Sequence, residues 1–240
     1  MVRSIMLVHG YGVRGSFWDK LRPRLQHNGV TVLTPDLEAD SPQQLASQIE
    51  QLAQQHSVAG PVALVGHSLG GILCALVASR VDPLVVSHLV VIAAPYGARA
   101  RSMHPLLRFL IRHRLLPPFL VRPRFFSSAT RRADQKLWFK RAVAESAALQ
   151  GALFGSDWFP AESFSRPPRQ RCLVIYSQAD RIVDAEAVRQ FGPKLDAREY
   201  VFDARRGVGH NDFAASDGIA EETAAAILDF VGTAPPESVL

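Results

Sequence analysis

Two cysteines in 240 residues, Cys74 and Cys172, are too few for a disulfide framework. Each sits in an apolar stretch and reads as a small buried hydrophobe, so a reducing, cytoplasmic setting is expected. No run approaches the roughly twenty apolar residues of a membrane span, and the segment Met1–Val8 is too short for a secretory core. The eight histidines lack metal-ligand spacing, so neither a metal nor another cofactor is expected. At the glycine-rich turn over residues 66–71, neither a phosphate loop nor a dinucleotide fingerprint is present. Internal repeats and low-complexity tracts are also missing.

Acids are scarce in one place. Between Arg99 and Arg141 only Asp134 stands against twelve Lys or Arg, giving that segment +11 in a chain of net +5. The remainder is therefore acidic, and the middle segment is chemically distinct. The cluster has two readings, a solvated face or a platform for an anionic lipid, a membrane surface or a coenzyme A-linked substrate. Nucleic acid is not expected, because large aliphatics interrupt the basic residues and no nucleic-acid motif accompanies them.

Apolar runs of strand length recur at Ile5–Val8, Val30–Leu33, Val62–Val65, His88–Ala93, Cys172–Tyr176 and Glu199–Phe202. Helical periodicity fills Phe17–Asn28, Pro42–His56, Leu69–Arg80, Asp184–Phe191 and Asp217–Val231. Strand and helix in alternation predict an α/β fold, a mostly parallel six-stranded sheet with helices on both faces. The alternation stops over 96–168, which is expected to be an inserted helical cap between core segments 1–95 and 169–231. Within it, a basic helix is expected over Pro105–Leu116, stopped by Pro117–Pro118, and a second over Thr130–Leu149. Residues 232–240 have the composition of a loose tail.

The turn after the third strand carries the chemistry. In Gly66–His67–Ser68–Leu69–Gly70–Gly71 an apolar strand reverses directly into a helix, with Ser68 at the apex. Glycines at 66 and 70 relieve crowding there, and the strained apex would present a nucleophile beside unpaired N–H groups of a helix start. A plain close-packed turn is the competing account. A serine hydroxyl needs a base, and the base needs a partner that fixes its tautomer. His210, in Gly207–Val208–Gly209–His210 after the last strand, supplies the base. Asp180, just past the fifth strand, supplies the acid; its rival role is turn capping, and Asp184 is the substitute acid. His67 and His9 are read as packing or loop-shaping residues.

In the order Ser68, Asp180, His210 these residues resemble the catalytic set of the α/β-hydrolase superfamily, esterase- and lipase-like branch. Gly66–Gly71 resembles its nucleophile elbow, Ala179–Val183 its acid loop, Gly209–His210 its base loop, and His9–Gly10–Tyr11–Gly12 its oxyanion loop. The resemblance implies an oxyanion hole from the backbone N–H groups of Tyr11 and Leu69, and a helical lid over the site. Only four residues precede the first strand, so the sheet should be a trimmed version of the larger family members'. It further implies cleavage of a small-molecule acyl ester, or thioester, through an acyl-enzyme. Leu106, Leu110, Leu115, Phe119, Phe125, Trp138, Phe154 and Trp158 are candidates for an acyl pocket or for the lid's own core. The rival readings are a carbon–carbon bond hydrolase, haloperoxidase or lyase on the same fold, and a ligand-binding receptor without turnover.

Overall fold

The computed structural model describes residues 2–26, 29–96, 118–155 and 169–232. Six strands form the sheet: β1 Ser4–Val8, β2 Thr31–Leu33, β3 Val62–His67, β4 Val86–Ile92, β5 Arg171–Ser177 and β6 Arg198–Phe202. Their order is β2-β1-β3-β4-β5-β6, and each neighbouring pair is parallel. The expected "mostly parallel" sheet is thus wholly parallel. β1 and β3 are buried at each position, as strands covered on both faces must be, whereas edge strand β6 exposes most of its residues.

Alternation along β1 divides the interior into two cores. Met6 and Val8 pack with Leu45, Ile49 and Leu73, while Ile5 and Leu7 pack with Trp18, Leu21, Phe213 and Ile227 on the opposite face. The larger helices are α1 Pro42–His56, α2 Leu69–Ala78, α3 Pro118–Phe125, α4 Arg132–Arg141, α5 Ala147–Gly155 and α6 Asp217–Val231. Helix α1 starts where Ser41 accepts the Gln44 N–H at 3.2 Å and Pro42 opens the first turn. It buries Leu45, Ala46, Ile49 and Ala53 as one stripe.

Three helical expectations are corrected. Phe17–Asn28 is not one helix: a 3₁₀ turn over Gly15–Trp18 is followed by a short helix, Arg22–Leu25. Pro23 has no N–H to continue an earlier helix and instead sits in the first turn of a new one. Thr130–Leu149 is divided into α4 and α5, because after Ala142 the Val143 N–H bonds the Gly12 carbonyl at 2.9 Å rather than its own helix. Asp184–Phe191 is likewise two short helices, Ala185–Arg189 and Phe191–Leu195. Pro118, expected to stop a helix, opens α3; the helix expected over Pro105–Leu116 lies outside the described residues. No described helix is long and apolar enough to cross a membrane.

Candidate active site

Ser68 occupies the turn between β3 and α2 with φ 53° and ψ −122°, a conformation L-residues adopt only under strain. Its N–H bonds the Ile92 carbonyl at 2.9 Å, tying the apex to the end of β4. The glycines have steric causes. A side chain on Gly66 would overlap the Gly70 backbone, one on Gly70 the carbonyls of Val8 and His9, and one on Gly71 would lie 2.7 Å from Ala94 Cβ. Helix α2 begins at Leu69, whose N–H is therefore outside the intrahelical ladder.

Asp180 and His210 reach the same end of the sheet from the loops after β5 and β6. His210 Nδ1 and Asp180 Oδ2 are 2.8 Å apart, with side chains only 4 % and 2 % exposed. A carboxylate accepts, so Nδ1 carries the proton and Nε2 keeps its lone pair, the tautomer a base requires. Asp180 also caps its turn, as Oδ1 accepts the N–H groups of Ile182 and Val183 at 2.8 and 3.1 Å. The oxygen that caps the turn is thus not the one that meets His210. Asp184 caps the next helix by accepting the Glu186 N–H at 3.0 Å.

His67 packs against His210. Its Nε2 donates to the His210 carbonyl at 2.7 Å, and its ring centre is 4.7 Å from that of His210. Complete burial, followed by repulsion from His210, holds its pKa well below the ordinary histidine value, so it is a neutral prop. Among the described contacts no hydrogen bond joins the Ser68 hydroxyl to His210; such bonds commonly tighten only around substrate.

The loop after β1 packs directly on the elbow: a Cβ on Gly10 would sit 3.2 Å from both Ser68 Cβ and the His67 carbonyl. Leu37 donates its N–H to His9 Nε2 at 3.0 Å, so His9 Nδ1 bears the proton and donates to the Gly10 carbonyl at 2.9 Å. That carbonyl belongs to the peptide that carries the Tyr11 N–H. Burial lowers the His9 pKa, keeping this neutral arrangement. Burial, then the nearby Glu145, pushes the Tyr11 phenol up to about 12. The small pocket beside the loop is lined by His9, Gly10, Leu69, Leu73 and Glu145 with three further leucines.

Two acids that sequence reasoning missed fasten residues 118–155 to these loops. Asp212, fully buried, accepts from Gly209 N at 2.8 Å, Thr130 Oγ1 at 2.6 Å, and both the N–H and the hydroxyl of Ser127. Glu145 accepts from the Gly12 N–H and Arg14 Nη1, each at 2.9 Å. Neither acid stands in a motif, so only the tertiary approach reveals them. Phe125, from the expected pocket list, has its ring centre 6.2 Å from that of His210 and stacks on Trp138. Phe119 is 69 % exposed. Leu106, Leu110, Leu115 and Trp158 lie outside the described residues, as does the side chain of Phe154. Of the basic cluster, Arg131 pairs with Asp134 and Arg141 with Asp19, while Arg99–Arg114 are not described. Among the described residues no group of three or more acids, histidines or cysteines is placed to hold a metal.

The model of the alpha/beta hydrolase family matches residues 5–225. No curated protein sequence matches the chain. Similar solved structures include an esterase from Thermogutta terrifontis, 19 % identical with TM-score 0.71, covering 95 % of this chain and 89 % of that one. A lipase-esterase related protein from Clostridium acetobutylicum is 15 % identical, with TM-score 0.74 and coverage of 95 % and 93 %. A protein described as the non-heme bromoperoxidase BpoC from Mycobacterium tuberculosis is 18 % identical, with TM-score 0.77 and coverage of 97 % and 93 %. At such identities the likeness is one of fold.

Proposed function

Because the chain belongs to the alpha/beta hydrolase family, we propose that it is a serine hydrolase that cleaves a carboxylic ester or thioester through an acyl-enzyme. The observation that carries this reading is the buried His210–Asp180 hydrogen bond at 2.8 Å, at the same end of the sheet as a strained serine. In the proposed reaction Ser68 Oγ attacks the acyl carbonyl and His210 Nε2 takes its proton. The backbone N–H groups of Tyr11 and Leu69 bind the oxyanion of the tetrahedral intermediate. Collapse expels the alcohol or thiol, which receives the proton from His210. Water, activated by the same imidazole, then attacks the acyl-serine and releases the acid.

Asp180 supports this cycle by stabilising the imidazolium and fixing its orientation. The aromatic face of Phe125 beside His210 suits an apolar group on the substrate. The likeness to a bromoperoxidase is a likeness of fold and leaves the choice of reaction to the residues. The test is labelling with a fluorophosphonate probe together with hydrolysis of short p-nitrophenyl esters. Wild type is expected to label and turn over, and Ser68→Ala to do neither. A wild-type protein that binds acyl esters but neither labels nor hydrolyses them would mark a receptor instead.

A further inference from the structure

Tyr11 stands between two peptide planes, and each is held by a side chain. On one side His9 fixes the Gly10 carbonyl. On the other, the Gly12 N–H donates to Glu145 Oε1, while the Gly12 carbonyl accepts from the Val143 N–H, both at 2.9 Å. We propose that Glu145, carried by the inserted segment, is the positioning residue for the Tyr11 oxyanion donor, with Arg14 as its obligatory countercharge. The inference rests on the hydrolase reading above and adds to it a partner for the oxyanion loop.

The break between α4 and α5 explains how the insertion reaches the loop. Ala142 leaves α4 with φ −61° and ψ 137°, so the chain is extended where Val143 and Glu145 follow. Backbone of the first and side chain of the second both meet Gly12. The backbone at Glu145 is itself pinned, since Gln150 Nε2 donates to its carbonyl at 2.9 Å. Gly12 takes φ +74°, and a Cβ there would lie 3.6 Å from the Val143 carbonyl, so the loop and the insertion run in close approach.

The charge at Glu145 requires an explanation of its own. Its side chain is 5 % exposed and borders the same pocket as Leu69, the second proposed donor. An unbalanced carboxylate so near a developing oxyanion would oppose the reaction. Arg14 Nη1 sits 2.9 Å from the same oxygen that accepts Gly12, and its own side chain is 16 % exposed. Arg14 Nη2 also lies 3.5 Å from the exposed Glu38 carboxylate, but Nη1 faces the buried one, so the pair offers an acceptor to the loop with the buried charge balanced and couples the seating of the insertion to the oxyanion hole.

The experiment compares kcat, KM and affinity for a trifluoromethyl ketone, which forms a tetrahedral oxyanion on serine. Glu145→Ala is expected to lower kcat by about 10- to 100-fold, with KM within about threefold and inhibitor binding weakened in parallel with kcat. Glu145→Gln keeps an acceptor for the Gly12 N–H and should recover most of that loss. Arg14→Met should lose more kcat than the double variant Arg14→Met/Glu145→Gln, since the second change removes the stranded charge. If Glu145→Ala fails to fold, the comparison between Arg14→Met and the double variant decides the matter. Wild-type kcat and inhibitor affinity in Glu145→Ala, or a loss confined to KM, would overturn the inference alone. An inactive, unlabelled wild type would overturn the hydrolase reading and this inference with it.

Discussion

Asp180 divides its two oxygens between different tasks: Oδ2 meets His210 Nδ1 at 2.8 Å, and Oδ1 holds the N–H groups of Ile182 and Val183. Replacing it with asparagine leaves an oxygen for the turn but presents an amide to the imidazole, favouring the wrong tautomer. Asp180→Asn is expected to lower kcat by roughly 10³- to 10⁴-fold, with thermal unfolding little changed. Steady-state kinetics beside a melting curve check this. A loss of stability without a loss of turnover would assign Asp180 to the turn alone.

Ser68 holds φ 53°, which glycine tolerates without penalty. Ser68→Gly should therefore abolish labelling and hydrolysis while stabilising the fold by about 1 kcal/mol, a rise in Tm of roughly 2–4 °C for a chain of this size. Calorimetry of the two proteins measures it. A lower Tm in the glycine variant would show that the turn carries no strain.

Gly70 faces the carbonyls of Val8 and His9 with no space for a methyl group. Gly70→Ala must push α2 away from β1, at a cost of about 1–3 kcal/mol and with displacement of the elbow. Urea denaturation should show the lower midpoint. Stability equal to wild type would mean that strand and helix separate freely here.

Three of the buried histidines make stability fall as the pH drops from 7 to 5. Burial lowers the pKa of His9, His67 and His88, the last to about 4 with Arg171 as a further cause. The unfolded chain binds protons near the ordinary value of about 6.5 and the folded chain does not, so protonation favours unfolding. Stability is complete above pH about 6.5 and falls as the pH drops toward the folded values, by up to about 1.4 kcal/mol per pH unit for each histidine. Asp134 and Glu222, whose pKa values are lowered chiefly by hydrogen bonds from Arg131 and Arg206, act only at lower pH, near the ordinary carboxyl range. Denaturation midpoints at pH 7.5 and 5.5 test the sign; equal midpoints would contradict it.

The parts legible in the sequence are those fixed by local rules. Buried parallel strands announce themselves as apolar runs, and Gly66 and Gly70 mark a turn that needs them for steric reasons visible in the chain itself. Asp180 and His210 could be singled out because each follows a strand at its carboxyl end, where an open α/β sheet gathers its side chains. What escaped is what depends on residues far apart in the chain. The continuous periodicity of Thr130–Leu149 conceals a break that exists because Gly12 competes for the Val143 N–H. Glu145 and Asp212 look like ordinary acids until Arg14, Gly12, Ser127 and Thr130 are placed around them. Pro23 was the legible warning against one long helix after Phe17.

The four donors gathered on Asp212 have a consequence for how such a protein can diverge. Its carboxylate grips Ser127 and Thr130 from a position two residues beyond His210, and Gly209 leaves no space for a side chain against the backbone at Phe126 and Ser127. A chimera that exchanged residues 118–155 for a foreign segment would strand a buried carboxylate two residues from His210. Transplanted segments would then succeed only when hydroxyl donors travel with them, so that residues 118–155 and the histidine loop evolve as one module.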